Sequence, residues 1–117
     1  MLKNTGLKIV LMMLVGISLA SDSLAQTTNI RFARGSSSAT VSGKIGKNGE
    51  RIYTVRGRKG QRITVSMRSG NNYVFAGVEA IGQGRTVTGT LPYDSSYIIE
   101  LSNGGNATNY SMTVTIR

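Results

Sequence analysis

The segment Gln61-Arg62-Ile63-Thr64-Val65-Ser66-Met67-Arg68 decides the reading of the fold. Ile63, Val65 and Met67 point one way, while Arg62, Thr64, Ser66 and Arg68 point the other. A period of two is the mark of a strand with one buried and one wet face. The C-terminal stretch repeats the pattern, with Tyr110, Met112, Val114 and Ile116 facing inward and Ser111, Thr113, Thr115 and Arg117 outward. Tyr97, Ile99 and Leu101 alternate in the same way with Ile98 and Glu100.

Outward from these three segments, weaker strands are expected at Asn29–Ala33, Ala39–Ile45, Arg51–Arg56, Tyr73–Ala80 and Arg85–Leu91. Turn chemistry separates them. Gly46-Lys47-Asn48-Gly49 contains an Asn-Gly pair suited to a tight hairpin; Gly57-Arg58-Lys59-Gly60 and Ser69-Gly70-Asn71-Asn72 are further turns, and Gly82-Gln83-Gly84 reads as a hairpin turn. Pro92, the only proline, should end the strand that reaches Leu91. No stretch of residues 26–117 spaces its apolar residues as a helix does, so no crossover helix is available for a parallel sheet. The expected fold is all-β: an antiparallel β-sandwich, or small barrel, of seven to eight short strands.

The first 25 residues stand apart. Lys3 and Lys8 precede an apolar run from Ile9 to Ala20, and Ser23-Leu24-Ala25 offers a small-x-small cleavage site ahead of Gln26. This is the layout of a cleavable signal peptide, with Ala20 as the alternative boundary. The run is short of the roughly 20 apolar residues that a membrane span needs. Residues 1–25 are therefore read as the signal peptide and 26–117 as one domain, periplasmic or secreted in a bacterium, with no integral membrane span in the mature chain.

Composition narrows the chemistry. There is no cysteine, so no disulfide, thiol nucleophile or thiolate metal site. There is no histidine, which removes the usual general base and the commonest metal ligand. The acids of the mature part are Glu50, Glu79, Asp94 and Glu100, and nothing in their spacing makes two converge as a glycosidase requires. Asp94, in Pro92-Tyr93-Asp94-Ser95, suits a turn in which Asp caps backbone amides. The reading is a binding protein, not an enzyme, with no cofactor and no metal. Asn106-Ala107-Thr108 and Asn109-Tyr110-Ser111 match the glycosylation pattern but read as turn and strand residues in a bacterial chain.

Setting aside Lys3, Lys8 and Asp22 leaves twelve basic and four acidic side chains, a net charge of +8. Arg56, Arg58, Lys59, Arg62 and Arg68 are expected on one hairpin and its outward face, a basic face suited to an anionic partner. Several of the aromatic residues belong to apolar faces, so the stacking platform of a single-strand nucleic-acid binder is not evident, and no nucleic-acid partner is expected. Anionic envelope polymers (polysaccharide, lipopolysaccharide or peptidoglycan) fit the basic face better. A structural protein that self-associates through an open sheet edge is a further alternative.

One pattern goes beyond composition. Ser42-Gly43, Tyr53, Arg56-Gly57-Arg58-Lys59-Gly60-Gln61, Ser69-Gly70-Asn71-Asn72-Tyr73-Val74-Phe75 and the closing Asn109-Tyr110-Ser111-Met112-Thr113-Val114 strand resemble the periplasmic inhibitors of invertebrate-type lysozyme. They also resemble the wider group of β-sandwich domains related to those inhibitors. The frame Tyr-x-x-x-Gly-x-x-Gly-Gln, here Tyr53 to Gln61, marks the fold more than the function. The resemblance implies that a Ser-Gly-x-x-Tyr loop, here Ser69, Gly70, Asn71, Asn72 and Tyr73, plugs the lysozyme cleft near its catalytic carboxylates. Ser69 would offer a hydroxyl, Gly70 close approach, Asn71 and Asn72 amide donors, and Tyr73 a brace or contact area. Invertebrate-type lysozyme is the favoured partner and goose-type the second. A +8 domain would be repelled at long range by a basic lysozyme. The reading requires the loop to stand clear, with its hydroxyl and amides free.

Overall fold

A computed structural model describes residues 26–117; the expected signal peptide, residues 1–25, lies outside the described residues. Nine strands form two packed sheets. They are β1 (Thr27–Ile30), β2 (Ser38–Ile45), β3 (Glu50–Gly57), β4 (Arg62–Ser69), β5 (Val74–Val78), β6 (Gly82–Gly84), β7 (Thr86–Thr90), β8 (Ser95–Asn103) and β9 (Thr108–Ile116). One sheet has the order β1-β3-β8-β5-β6 and the other β2-β9-β4-β7, which makes the fold a β-sandwich.

The alternation in the sequence becomes the core. Ile63, Val65 and Met67 of β4, Tyr110, Met112, Val114 and Ile116 of β9, and Tyr97, Ile99 and Leu101 of β8 are all buried. Each aliphatic side chain so removed from water contributes on the order of 1.5–3 kcal/mol. Their partners in the pattern, Arg62, Arg68, Ile98 and Glu100, are exposed. Tyr97 is fully buried yet keeps its hydroxyl satisfied. That hydroxyl donates to the Tyr93 carbonyl and accepts from the Tyr93 amide at 3.1 Å, while the two rings stack 5.4 Å apart. The link pins the start of β8 in the manner of a tyrosine corner.

Three expectations need correction. The strands flanking Gly46–Gly49 do not form a hairpin, because β2 and β3 lie in opposite sheets; the same holds for β3 with β4 and β4 with β5. Turn residues specify a local reversal, here the bond from the Gly49 amide to the Gly46 carbonyl at 2.9 Å with Asn48 at φ 60. They do not specify which sheet receives the next strand. Gly82–Gly84 is not a turn but the short strand β6, paired antiparallel with β5. The reversal falls just before it, at Ala80 with φ 66. Finally, β1 pairs with β3 in parallel. No helix is needed for this crossover, since β2 in the facing sheet provides it.

Leu91 is buried beneath Gly57, leaving no room there for a Cβ atom, and the chain turns at exposed Pro92. Asp94 caps as expected, accepting the Lys59 amide at 2.8 Å.

Candidate functional site

The Ser69–Tyr73 segment is the arch from the end of β4 to the start of β5, passing from one sheet to the other at one end of the sandwich. Two neighbouring segments support it. The Gly70 amide donates to Thr108 Oγ1 at 3.0 Å, and the Tyr73 carbonyl accepts the Gly104 amide at 3.0 Å. Asn71 is the internal brace. Its Oδ1 accepts the Tyr73 amide at 2.9 Å, and its Nδ2 donates to the Asn106 carbonyl at 2.8 Å and to Asn103 Oδ1 at 3.2 Å. The first of these is an Asx turn, in which a side chain substitutes for backbone.

Asn103 lies behind the arch and is only 2% exposed. Its Nδ2 donates to the carbonyls of Ile45, Gly46 and Asn106 at 3.3, 3.0 and 2.9 Å. Its Oδ1 accepts the Gly105 amide at 2.9 Å as well as the Asn71 bond. One side chain thus joins the β2–β3 arch, the β8–β9 connection and the candidate loop. Satisfying both ends of a buried amide in this way is what makes its burial tolerable. Arg85, half-buried between β6 and β7, holds the other flank: its Nη1 donates to Ser69 Oγ and to the Val74 carbonyl, both at 3.0 Å.

This geometry corrects the expected role of Ser69 and Asn71. The Ser69 hydroxyl and the Asn71 amide are already engaged within the domain, so they hold the arch instead of offering free donors. What the arch presents to solvent is Gly70, Asn72 and Tyr73. Asn72 adopts φ 62, a left-handed conformation that Asn tolerates better than most residues. Tyr73 is 57% exposed, and Phe75, two residues on along the same face of β5, is 41% exposed. Two neighbouring exposed aromatics at a rigid loop are what a protein contact uses. The arch packs closely behind: a Cβ on Gly105 would lie 2.9 Å from both Asn71 Nδ2 and Tyr73 Cδ2.

The expected basic face is divided. Arg56 is on β3 and Arg62 and Arg68 are on β4, strands of opposite sheets, so Arg56 points out from one side of the sandwich and the other two from the other side. Arg58 and Lys59 occupy the exposed arch between them. The alternation holds along each strand, but β3 and β4 lie in opposite sheets, so their outward faces are not one surface. The outer face of the β1-β3-β8-β5-β6 sheet also carries acids. Glu79 and Glu100 line a shallow groove of 520 Å³ with Gly77, Gln83 and Ile98, and Glu79 Oε1 accepts the Ile98 amide at 3.0 Å. Among the described residues, no three acidic side chains gather as a metal site would require.

Asn103 and Arg85 carry no sequence motif that marks them, and Phe75 enters only as the end of the resembling run. Asn103 had a signal: one more step of the Tyr97, Ile99, Leu101 alternation reaches it, and a polar residue at an inward position must have buried partners.

No protein-family model matches the chain, and no curated protein matches it in sequence. The solved structures are informative. The two-sheet architecture is shared with the pre-peptidase C-terminal domain of a Bacillus anthracis collagenase, with a TM-score of 0.57 and 13% identity over 79% of this chain and 97% of that one. That likeness concerns the fold alone. More specific is PliG of Aeromonas hydrophila, a periplasmic lysozyme inhibitor of g-type lysozyme, with a TM-score of 0.73 and 25% identity over 80% of this chain and 97% of that one. The Salmonella Typhimurium PliG follows, with a TM-score of 0.68 and 22% identity over 80% of this chain and the whole of that one. The chain is therefore similar to periplasmic lysozyme inhibitors, which are not enzymes. The expected preference for invertebrate-type lysozyme finds no support, because these neighbours are inhibitors of the g-type (goose-type) enzyme. No helix among the described residues is long and apolar enough to cross a membrane.

Proposed function

We propose that the domain is a periplasmic inhibitor of g-type lysozyme that occupies the enzyme's cleft with the exposed side of the Ser69–Tyr73 arch. The observation that carries this reading is the 25% identity and TM-score of 0.73 with PliG of Aeromonas hydrophila over nearly the whole of that chain. The contact surface is Gly70, Asn72 and Tyr73, extended along β5 by Phe75, while Ser69, Asn71, Asn103 and Arg85 keep it in shape. A surface held rigid before binding loses less entropy on association, which favours tight inhibition.

The charge problem posed by a basic lysozyme is eased by the distribution of the acids. Glu50 and Glu100 belong to the sheet whose β5 carries Phe75, and Glu79 directly follows β5, so a cationic enzyme approaching there meets a field less positive than the net charge suggests. The test is a cell-wall lysis assay with purified g-type, invertebrate-type and chicken-type lysozymes. Inhibition of the g-type enzyme is expected; absence of inhibition of all three ends the reading.

A further inference from the structure

The outer face of the β2-β9-β4-β7 sheet has a regularity that neither core packing nor the lysozyme contact uses. Its side chains fall in register across all four strands. Ser38, Thr115, Thr64 and Thr88 form one row, and Thr40, Thr113, Ser66 and Thr86 the next. Hydroxyl contacts run along both rows, from Ser38 to Thr115 at 2.8 Å and from Thr40 to Thr113 at 3.0 Å. Rows of this kind repeat about every 4.8 Å across the strands and about every 6.6 Å along them.

Cations stand beyond these rows at both ends of the face. Arg62 and Arg117 sit directly opposite each other, exchanging backbone bonds at 2.8 and 3.1 Å, with both side chains exposed. Like charges in directly opposed positions destabilise a sheet. With Thr64 and Thr115 they line a depression of 240 Å³. Arg68 and Lys44 stand at the other end of the same face. No acidic side chain is among the outward residues of this face: Glu50, Glu79 and Glu100 belong to the other sheet or its connections, and Asp94 is held by the Lys59 amide.

We infer that this face is a binding platform for an anionic polysaccharide. The depression lined by Arg62, Arg117, Thr64 and Thr115 offers two guanidinium groups and two hydroxyls to one oxyanion, a carboxylate being the natural fit. The hydroxyl rows then meet the hydroxyls of successive sugars, and Arg68 and Lys44 receive a further charge along the chain. The exposed aromatics Tyr73, Phe75 and Tyr93 all lie off this face, so bases would find no surface to stack on, and a glycan suits it better than a nucleic acid. An anion between Arg62 and Arg117 also relieves the repulsion that the fold otherwise tolerates.

The experiment is a binding titration of the mature domain with polygalacturonate, a linear uronate polymer, across a salt series. Its methyl ester and single-stranded DNA serve as comparators. Arg62→Gln with Arg117→Gln should weaken uronate binding roughly ten-fold or more, the scale of lost charge-assisted contacts to an oxyanion. Thr64→Val with Thr115→Val should weaken it less while preserving the β-branched shape. Arg58→Gln with Lys59→Gln removes the same charge from outside the face and should change little. Equal losses from both charge-removing pairs, equal affinity for the methyl ester, or tighter binding of DNA overturns the inference, as does absence of uronate binding. Lysozyme inhibition reads out separately, because Arg62 and Ser69 end the same strand roughly 23 Å apart at the usual rise per residue.

Discussion

Asn71 and Asn103 meet side chain to side chain, Nδ2 to Oδ1 at 3.2 Å, and that bond couples an exposed arch to a buried hub. Asn103 also carries the β2–β3 arch and the β8–β9 connection, so the loop that faces solvent inherits its shape from three parts of the chain.

Removing the hub should be costly for both stability and inhibition. Asn103→Ala leaves carbonyls of Ile45 and Gly46 without their side-chain donor, and about 1–3 kcal/mol of unfolding free energy should be lost. Asn71→Ala should cost less, since two of its partners, the Tyr73 amide and the Asn106 carbonyl, belong to exposed residues. Urea unfolding of the two single variants and the double variant gives the coupling directly.

Tyr73→Ala should do the opposite. Its ring is 57% exposed, so stability should move by no more than about 0.5 kcal/mol, the usual range for a surface change. Inhibition of g-type lysozyme should fall by about 2 kcal/mol or more if Tyr73 is an anchor of the interface. A lysis assay beside a thermal melt separates the two effects. Loss of folding together with inhibition would assign Tyr73 to structure instead.

Arg85→Ala should loosen the flank of the arch. The guanidinium reaches both Ser69 Oγ and the Val74 carbonyl, so its removal frees a hydroxyl and orphans a carbonyl at once. Faster amide exchange at Tyr73 is the expected signature, with weaker inhibition and a loss of about 1–3 kcal/mol of stability from the orphaned carbonyl.

Alkaline pH should destabilise the fold through Tyr53. Its phenol is held well above the usual range, first by burial and then by the 2.6 Å bond to the Tyr110 hydroxyl. A folded pKa raised above the unfolded one means that the contribution is complete below the unfolded value, about 10, and declines as pH rises beyond it toward the folded value. Melting temperature followed upward from about pH 9 should fall more steeply for the natural chain than for Tyr53→Phe with Tyr110→Phe.

Gly57→Ala tests the packing at the other end of the sandwich. The added methyl would collide with the Leu91 side chain, and overpacking of this kind costs about 1–3 kcal/mol. Adding Leu91→Val should recover part of the loss, as measured by denaturant midpoint.

Much of the architecture was written in the period-two segments. Ile63, Val65 and Met67, and Tyr110 through Ile116, announced their inward faces without help from any contact. Sheet membership was not legible, because Gly46–Gly49 and Gly57–Gly60 encode a bend and not a destination. That gap misplaced the basic residues, which local reading gathered on one hairpin and the sandwich distributes to opposite sides. For the arch, local pattern assigned the polar groups outward; Ser69 and Asn71 turn inward because Arg85 and Asn103, distant in the chain, bond to them.

The placement of β8 and β9 at the centre of their respective sheets has a consequence for the life history of the molecule. β8 separates β3 from β5, and β9 separates β2 from β4, so β1–β3, β5–β6 and β4–β7 can pair early but neither sheet is joined into one piece until the final two strands appear. A nascent chain of this topology stays open until almost all of it is made, and such long-range pairing is intrinsically slow to form.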